Sequence, residues 1–325
     1  MADEHVLLIR KIVRPALTVP SVAETVRWVL KKPSVCVPEG AVVLSVVNKH
    51  HIRLRPLQFH FIRHRRCFMR RVVSVCFNNV TDGFGSCVRS TFVVPPSDFR
   101  RSNYANLIWA KWKILADALT VATRALWLDA DVLILRNPFS VLNLLGNDAK
   151  TSPGYDIQYQ SEPPPPETSQ CIPPRTGCMK CPRINGGQLL LSSEVLSNIM
   201  YGARPHNLSN TDRLDQDWAD AILFPEDSRF AYLLGNASHG NYNPPTRNYS
   251  SCILPPSFGA NCWSNKAFVR DTLGDTRRPG AQLALGCRRA TLHFNCIMQR
   301  REKGTRMKYE IDSWSKRCGN RTAYE

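Results

Sequence analysis

Hydrophobic positions in this chain gather into short runs separated by polar, proline-rich or glycine-bearing stretches. Residues 41–48 (AVVLSVVN) and 72–80 (VVSVCFNNV) are nearly continuous β-branched runs, the pattern of strands covered on both faces. Across residues 98–124 the spacing changes. Trp109, Trp112, Leu115, Ala116 and Leu119 recur at three- and four-residue steps, which predicts an amphipathic helix. Residues 126–128 read as apolar strand, followed by Asp129, Ala130 and Asp131, more apolar residues to Leu135, and an Asn-Pro turn. NGGQLLLS at 185–192 predicts a turn and a short buried strand, with a helix to about Met200. Asp215–Leu223 predicts a further helix, and ATLHFNC at 290–296 a last strand. Strands that alternate with helices predict an α/β fold with some parallel pairing.

Other stretches are less regular. Residues 1–40 show no clear period and end in Pro38-Glu39-Gly40, which reads as an extension or stem remnant. The basic stretch to Arg71 predicts a helix with Leu54, Leu57, Phe61 and Ile62 near one face. Residues 152–183 carry EPPPPETSQCIPPRTGCMKCPR, a proline-rich loop expected to hold neither regular helix nor sheet. Residues 235–266 are loop-rich. The expected division is an extension to residue 40, a main domain over 41–300 carrying the 152–183 insertion, and a basic tail over 301–325. There is no internal repeat.

At 325 residues the chain can form one large domain or two ordinary ones. With 43% hydrophobic and 21% charged residues it belongs with globular proteins rather than disordered, collagenous or coiled-coil chains. No stretch approaches the roughly 18 apolar residues of a spanning helix. The formal net charge of +17 points to anionic partners. Twelve cysteines are many for a reducing compartment. Asn-x-Ser/Thr sequons start at Asn79, Asn207, Asn236, Asn248 and Asn320. Together they point to a secretory-pathway lumen, such as the Golgi. The start, MADEHVLLIRKIVRPALTVP, has no uninterrupted apolar run of signal-peptide type, so an anchor upstream of this chain is expected.

Two acids inside an apolar strand need a physical reason, because an unpaired buried charge is costly. On an extended backbone Asp129 and Asp131 project to one face, and they repel unless a cation sits near them. Oxygen ligands with open positions suit Mn²⁺ or Mg²⁺ together with substrate phosphates. The end of a strand in an open α/β sheet is also where such folds place ligands. The structural alternative is that Asp129 caps a turn while Asp131 pairs with a nearby Lys or Arg.

The run AKWKILADALTVATRALWLDADVLILRNPF resembles the core of the nucleotide-diphospho-sugar transferase family that includes plant cell-wall α-xylosyltransferases and arabinosyltransferases. Lys111 or Lys113, Asp129, Asp131 and Pro138 match that family in order and approximate spacing. NGGQLLLS resembles its Asn-Thr/Ala-Gly segment, LDQDWAD its Asp-Gln helix start, and LHFNC its closing His-x-Asn. The resemblance implies a GT-A fold, a Rossmann-like mixed and mostly parallel sheet flanked by helices. It implies that Asp131 binds a divalent ion, that Asp129 contacts the ribose or the metal's water, and that His293 is the third protein ligand. It places Lys111, Asn185, Gly186 and Gly187 at the nucleotide sugar, with Asp215 and Gln216 near the anomeric centre or acceptor. Arg300, Arg301 and Lys303 are candidates for the diphosphate. Bland readings stand beside these: a strand-end histidine held by backbone, a plain turn at the glycines, an Asp capping a helix, and surface charges. The chain departs from the family at Asn78 and Asn79, where an acid is usual, in the 152–183 insertion, and after His293, where CIMQRREKG replaces a Gly and Lys.

Cys171, Cys178 and Cys181 include a Cys-x-x-Cys, but a structural zinc needs a fourth ligand that is not near in sequence, so disulfides are expected. RHRRCFMRR at 63–71 lacks the interleaved aromatics of a base-stacking surface, and no nucleic-acid partner is expected. The implied function is a metal-dependent glycosyltransferase, using a nucleotide-sugar donor (UDP-linked) and a glycan or glycoprotein acceptor, with retention of configuration. The rival is a catalytically inactive glycan-binding relative of the same fold.

Overall fold

The computed structural model describes residues 21–47, 52–62, 65–76, 87–89, 104–142, 155–161, 184–202, 215–224, 249–254, 259–261, 287, 289–294 and 300–318. The asparagines of the five sequons, Asn78, the Cys171–Cys178–Cys181 group and most of the 152–183 insertion lie outside these residues.

A seven-stranded mixed sheet runs through the molecule. Its strands are β1 (Ala41–Val47), β2 (Val72–Cys76), β3 (Cys87–Arg89), β4 (Arg124–Leu128), β6 (Ile157–Ser161), β7 (Ile184–Leu191) and β8 (Ser251–Ile253). They lie in the order β3-β2-β1-β4-β7-β6-β8. Pairing is parallel from β3 through to β4 and between β6 and β8, and antiparallel on both sides of β7. A second sheet holds β5 (Val132–Ile134), β10 (Thr291–His293) and β9 (Gly259–Asn261) in the order β5-β10-β9.

Both faces of the large sheet are covered, which is why its strands read as unbroken apolar runs. Val42, Leu44, Ala125, Trp127, Leu189 and Leu191 face one layer, with the helices Val22–Leu30, Tyr104–Leu119, Glu194–Gly202 and Asp215–Leu223. Ala41, Val43, Leu126, Leu128 and Leu190 face the other, against Phe59, Phe68 and Phe139. Alternate residues of one strand thus serve two cores. A third cluster joins Leu133, Leu135, Leu292 and Phe294 of the small sheet to Met307, Ile311 and Trp314 of the helix Arg300–Cys318.

Several expectations are revised. Within the supposed extension, Val22–Leu30 is a helix whose Val22, Val26 and Val29 enter the core. It opens on a capping box in which Ser21 and Glu24 satisfy each other's backbone N–H groups, at 2.7 and 3.2 Å. The basic stretch to Arg71 is not one helix. It breaks into a 3₁₀ turn (Ile52–Leu54) and the short helices Arg55–Gln58 and Arg66–Met69. Arg55 and Gln58 point inward and bond Ser74, Ser45 and the Asp129 carbonyl, so buried polar residues anchor it together with Leu54, Phe59 and Ile62. The segment expected to hold no sheet contains β6, where Ile157 and Tyr159 alternate into the core ahead of the proline run. Residues 300–318 form a helix instead of a tail, with three apolar residues at four- and three-residue steps.

Among the described residues no helix is long and apolar enough to cross a membrane, and no cysteine is free. Cys36 bonds Cys67 and Cys287 bonds Cys318. Cys76 and Cys252 are also disulfide-bonded.

Candidate metal and donor site

After β4 the chain leaves the large sheet and enters the small one, and the acids sit on that crossing. Residues 129–132 are a tight turn rather than extended strand: Val132 N–H donates to the Asp129 carbonyl at 3.1 Å. Gln58 Nε2 donates to the same carbonyl at 2.8 Å, and Asp129 N–H donates to Gly187 O at 2.9 Å. The turn still delivers both carboxylates to one place. It lies beyond the carboxyl end of β4, where the strand order reverses around β1, the position at which open α/β sheets hold ligands.

His293 ends β10, with Val132 of β5 as its register partner. Phe294 N–H donates to Asp131 O at 3.1 Å, which fixes the acids and the imidazole in one frame. One ligand atom each from Asp129, Asp131 and His293 lies within 4.8 Å of the others. His293 Nε2 is 3.4 Å from Asp131 Oδ1, and its Nδ1 is 3.1 Å from Gln160 Oε1. Gln160 Oε1 also accepts from Gln188 Nε2 at 2.9 Å, and Gln188 Oε1 accepts from Thr291 Oγ1 at 2.5 Å. A Nδ1–H bonded to the Gln160 oxygen leaves Nε2 available as a ligand to an ion between the acids, whereas without an ion Nε2 faces Asp131 as a charged hydrogen-bond partner. Two carboxylates and a neutral imidazole, with electron pairs facing one another, suit a divalent ion of the Mn²⁺ kind.

The two acids differ electrically. Burial raises the Asp129 carboxyl above its ordinary value, and the neighbouring Asp131 charge adds to this. Lys111, His293 and the Trp127 hydrogen bond pull the other way without overcoming it. That bond, Trp127 Nε1–H to Asp129 Oδ1, is 2.7 Å. Burial also works against Asp131, but the ammonium of Lys303 and the imidazole outweigh it and hold this carboxyl well below the usual range. Lys303 contacts Asp131 Oδ2 directly. The structural alternative for Asp131, a lysine partner, is therefore present alongside the ligand geometry.

Gly186 and Gly187 lie in β7 rather than in a plain turn. The β6–β7 register slips there, from Tyr159↔Leu189 to Gln160↔Asn185, and Asn185 Oδ1 accepts from Gly187 N–H at 3.0 Å. The bulge presses backbone against the site. A Cβ on Gly187 would stand 2.1 Å from His293 Cε1, and one on Gly186 would stand 2.5 Å from Lys111 Nζ. Beside Gly186 is a second polar group. Lys111 Nζ is 2.6 Å from Asp215 Oδ2 and donates to Gly186 O at 3.2 Å. Trp112 Nε1–H donates to Asp215 Oδ2 at 2.7 Å. Gln216 Nε2 faces the same glycine, 3.5 Å from where its Cβ would be.

Of the two lysines open from sequence, Lys111 turns to the site. Lys113 turns outward and pairs with Asp117 on its own helix. Pro138 starts the short helix Pro138–Val141, capped by Asn137. The side chains of Arg300 and Arg301 lie outside those described. Sequence reasoning missed Gln58, Trp127, Gln160, Gln188 and Thr291, which position the ligands. Gln160 had a readable signal, the alternation of Ile157 and Tyr159 with Gln158 and Gln160, but it fell in a segment read as loop.

No model of a known protein family matches the chain, and no curated protein matches it. Several solved structures are similar to the chain, all distantly. A glycosyltransferase involved in glycosylating the major capsid of PBCV-1 has 14% identity and a TM-score of 0.44, over 83% of this chain and 98% of that one. The galactosyltransferase LgtC has 13% identity and a TM-score of 0.38, over 85% and 99%. Mouse xyloside xylosyltransferase 1 has 11% identity and a TM-score of 0.39, over 80% and 99%. Likenesses this remote assign no activity. The chemistry of the site has to do so.

Proposed function

We propose that the protein is a metal-dependent glycosyltransferase of GT-A type, related to the plant cell-wall α-xylosyltransferases and arabinosyltransferases. It moves a sugar from a nucleotide-diphosphate donor, UDP-linked, to a hydroxyl of a glycan or glycoprotein in the Golgi lumen. The observation that carries this reading is the convergence of Asp129, Asp131 and His293 beyond the end of β4, with ligand atoms within 4.8 Å. In this reading those three residues hold Mn²⁺ (or Mg²⁺). When bound, the ion supplies Lewis-acid neutralisation of the departing diphosphate.

The chain's own residues do the rest. Lys303 offers a mobile positive charge to the phosphate oxygens. The backbone at Asn185, Gly186 and Gly187 approaches the donor closely because no side chain stands in the way. Lys111 and Trp112 fix the Asp215 carboxylate at the start of its helix, and Asp215 and Gln216 face the anomeric carbon from the Gly186 side. Retention of configuration requires no obligatory general base, and none is assigned.

The test is UDP release from a small panel of UDP-sugars with Mn²⁺, comparing the native chain with Asp131→Asn. The substitution should lower turnover roughly a hundredfold or more while the thermal melt shows an intact fold. A variant that keeps most of its turnover removes the ion from Asp131. Glycan binding without turnover is favoured by one observation, the ammonium already resting on Asp131. Metal-independent glycan binding with no donor consumed would select that reading.

A further inference from the structure

Asp131 is a shared ligand. Its Oδ2 is engaged by Lys303 and its Oδ1 faces His293 Nε2 at 3.4 Å. The lysine side chain is only 14% exposed, so the contact is no loose surface pair. Lys303 projects from the helix Arg300–Cys318, which Met307, Ile311 and Trp314 pack onto the small sheet and Cys318 ties to Cys287. Its backbone is therefore fixed, while its four-carbon stem leaves the ammonium free to swing. A divalent ion centred among Asp129, Asp131 and His293 would have to share Asp131 with that ammonium. Two like charges in a poorly hydrated site repel strongly. An arriving diphosphate offers the lysine a second anion of higher charge.

We propose that Lys303 is a tethered counter-ion. Without a nucleotide diphosphate its ammonium holds Asp131 and competes with the divalent ion. With one bound, it transfers to the phosphates and frees Asp131 for the ion. Ion and donor then strengthen each other through one lysine, beyond their direct bridging, and by linkage the effect is reciprocal. The free enzyme holds its ion weakly and gathers it together with donor. This inference rests on the function proposed above and specifies how that same site is loaded.

The test measures Mn²⁺ binding to the full chain by calorimetry, without and with UDP, for the native protein, Lys303→Met and Lys303→Arg. Without UDP, Lys303→Met should bind Mn²⁺ on the order of tenfold more tightly than the native chain, and Lys303→Arg should stay weak. UDP alone should bind Lys303→Met more weakly, and the gain in Mn²⁺ affinity that UDP brings should shrink. Methionine keeps the apolar stem, and Lys303→Gln replaces it should the methionine variant melt early. Equal or weaker Mn²⁺ binding by the neutral variants overturns the counter-ion while leaving the glycosyltransferase reading in place. Absence of Mn²⁺ binding in native and variant proteins alike, with UDP present, overturns both.

Discussion

Asp129 and Asp131 are two positions apart and are treated in opposite ways by their surroundings. Desolvation raises Asp129, whereas Lys303 and His293 more than offset the same burial at Asp131. Proton and metal ion compete for Asp129. Because its folded pKa is raised, protonated Asp129 persists to higher pH than an ordinary aspartate. Mn²⁺ affinity should therefore rise as pH increases through that raised value, with a proton released as each ion binds. An aspartate of ordinary pKa would be almost wholly ionised above about pH 5 and release none there. Calorimetry in two buffers of different ionisation enthalpy, repeated from acid to neutral pH, counts the proton. Asp129→Asn should abolish that share of the release. Equal heats in both buffers for the native chain would contradict the raised pKa.

The residues that contact the ion in this reading were visible as types and spacings: an acid pair after an apolar run, and a histidine at the end of a later one. Their supports were not. Gln160 meets His293 across 133 residues and Thr291 meets Gln188 across 103. A glutamine has no signature until the fold chooses its neighbour.

Strands and helices differ in how openly the chain announced them. β1, β4 and β7 are covered on both faces, so apolar runs marked them. The helix Tyr104–Leu119 is marked by large apolar residues at three- and four-residue steps, although it is buried on most of its circumference between the sheet and neighbouring helices. Elements with mixed signals were lost. Val22–Leu30 opens on Ser-x-x-Glu and repeats valine at four- and three-residue steps, yet sits in a basic terminal region. In Arg300–Cys318 the three core-facing apolar residues, Met307, Ile311 and Trp314, are outnumbered by charges. β6 was hidden by the prolines that follow it. The β7 bulge was invisible too, since register slips leave no trace in composition.

That bulge carries a prediction. A methyl group on Gly187 would overlap the His293 ring, and the ring is 2% exposed with little room to retreat. Gly187→Ala should cost about 1–3 kcal/mol by overpacking and weaken Mn²⁺ binding roughly tenfold or more as the imidazole tilts. Denaturant unfolding and metal titration on the same sample check both. Unchanged metal affinity would show that His293 does not depend on this glycine.

Across the whole molecule, fold class was legible because alternating strand and helix patterns leave few arrangements. The strand order and the second sheet were not, since they depend on pairings between segments far apart in the chain. Disulfides hold two peripheral segments to this framework. Cys287–Cys318 closes a loop with a sequence separation of 31, for which chain entropy gives about 3–4 kcal/mol. Replacing both cysteines by serine should lower unfolding free energy by about that amount and loosen the helix that bears Lys303. Urea unfolding measures the loss, and native protein should migrate differently with and without reductant. Identical stability would mean the bridge is not formed in solution.

Asp129 enters from the corner of the broad sheet, held by the Gly187 carbonyl, and Asp131 with the imidazole from the rim of the narrow one. Whatever grips at their meeting point acts as a rivet between two plates. Prying the plates apart by a fraction of an ångström would release the grip long before the interior layers come undone, so ion retention should report on the seam itself and fail first when the protein is stressed.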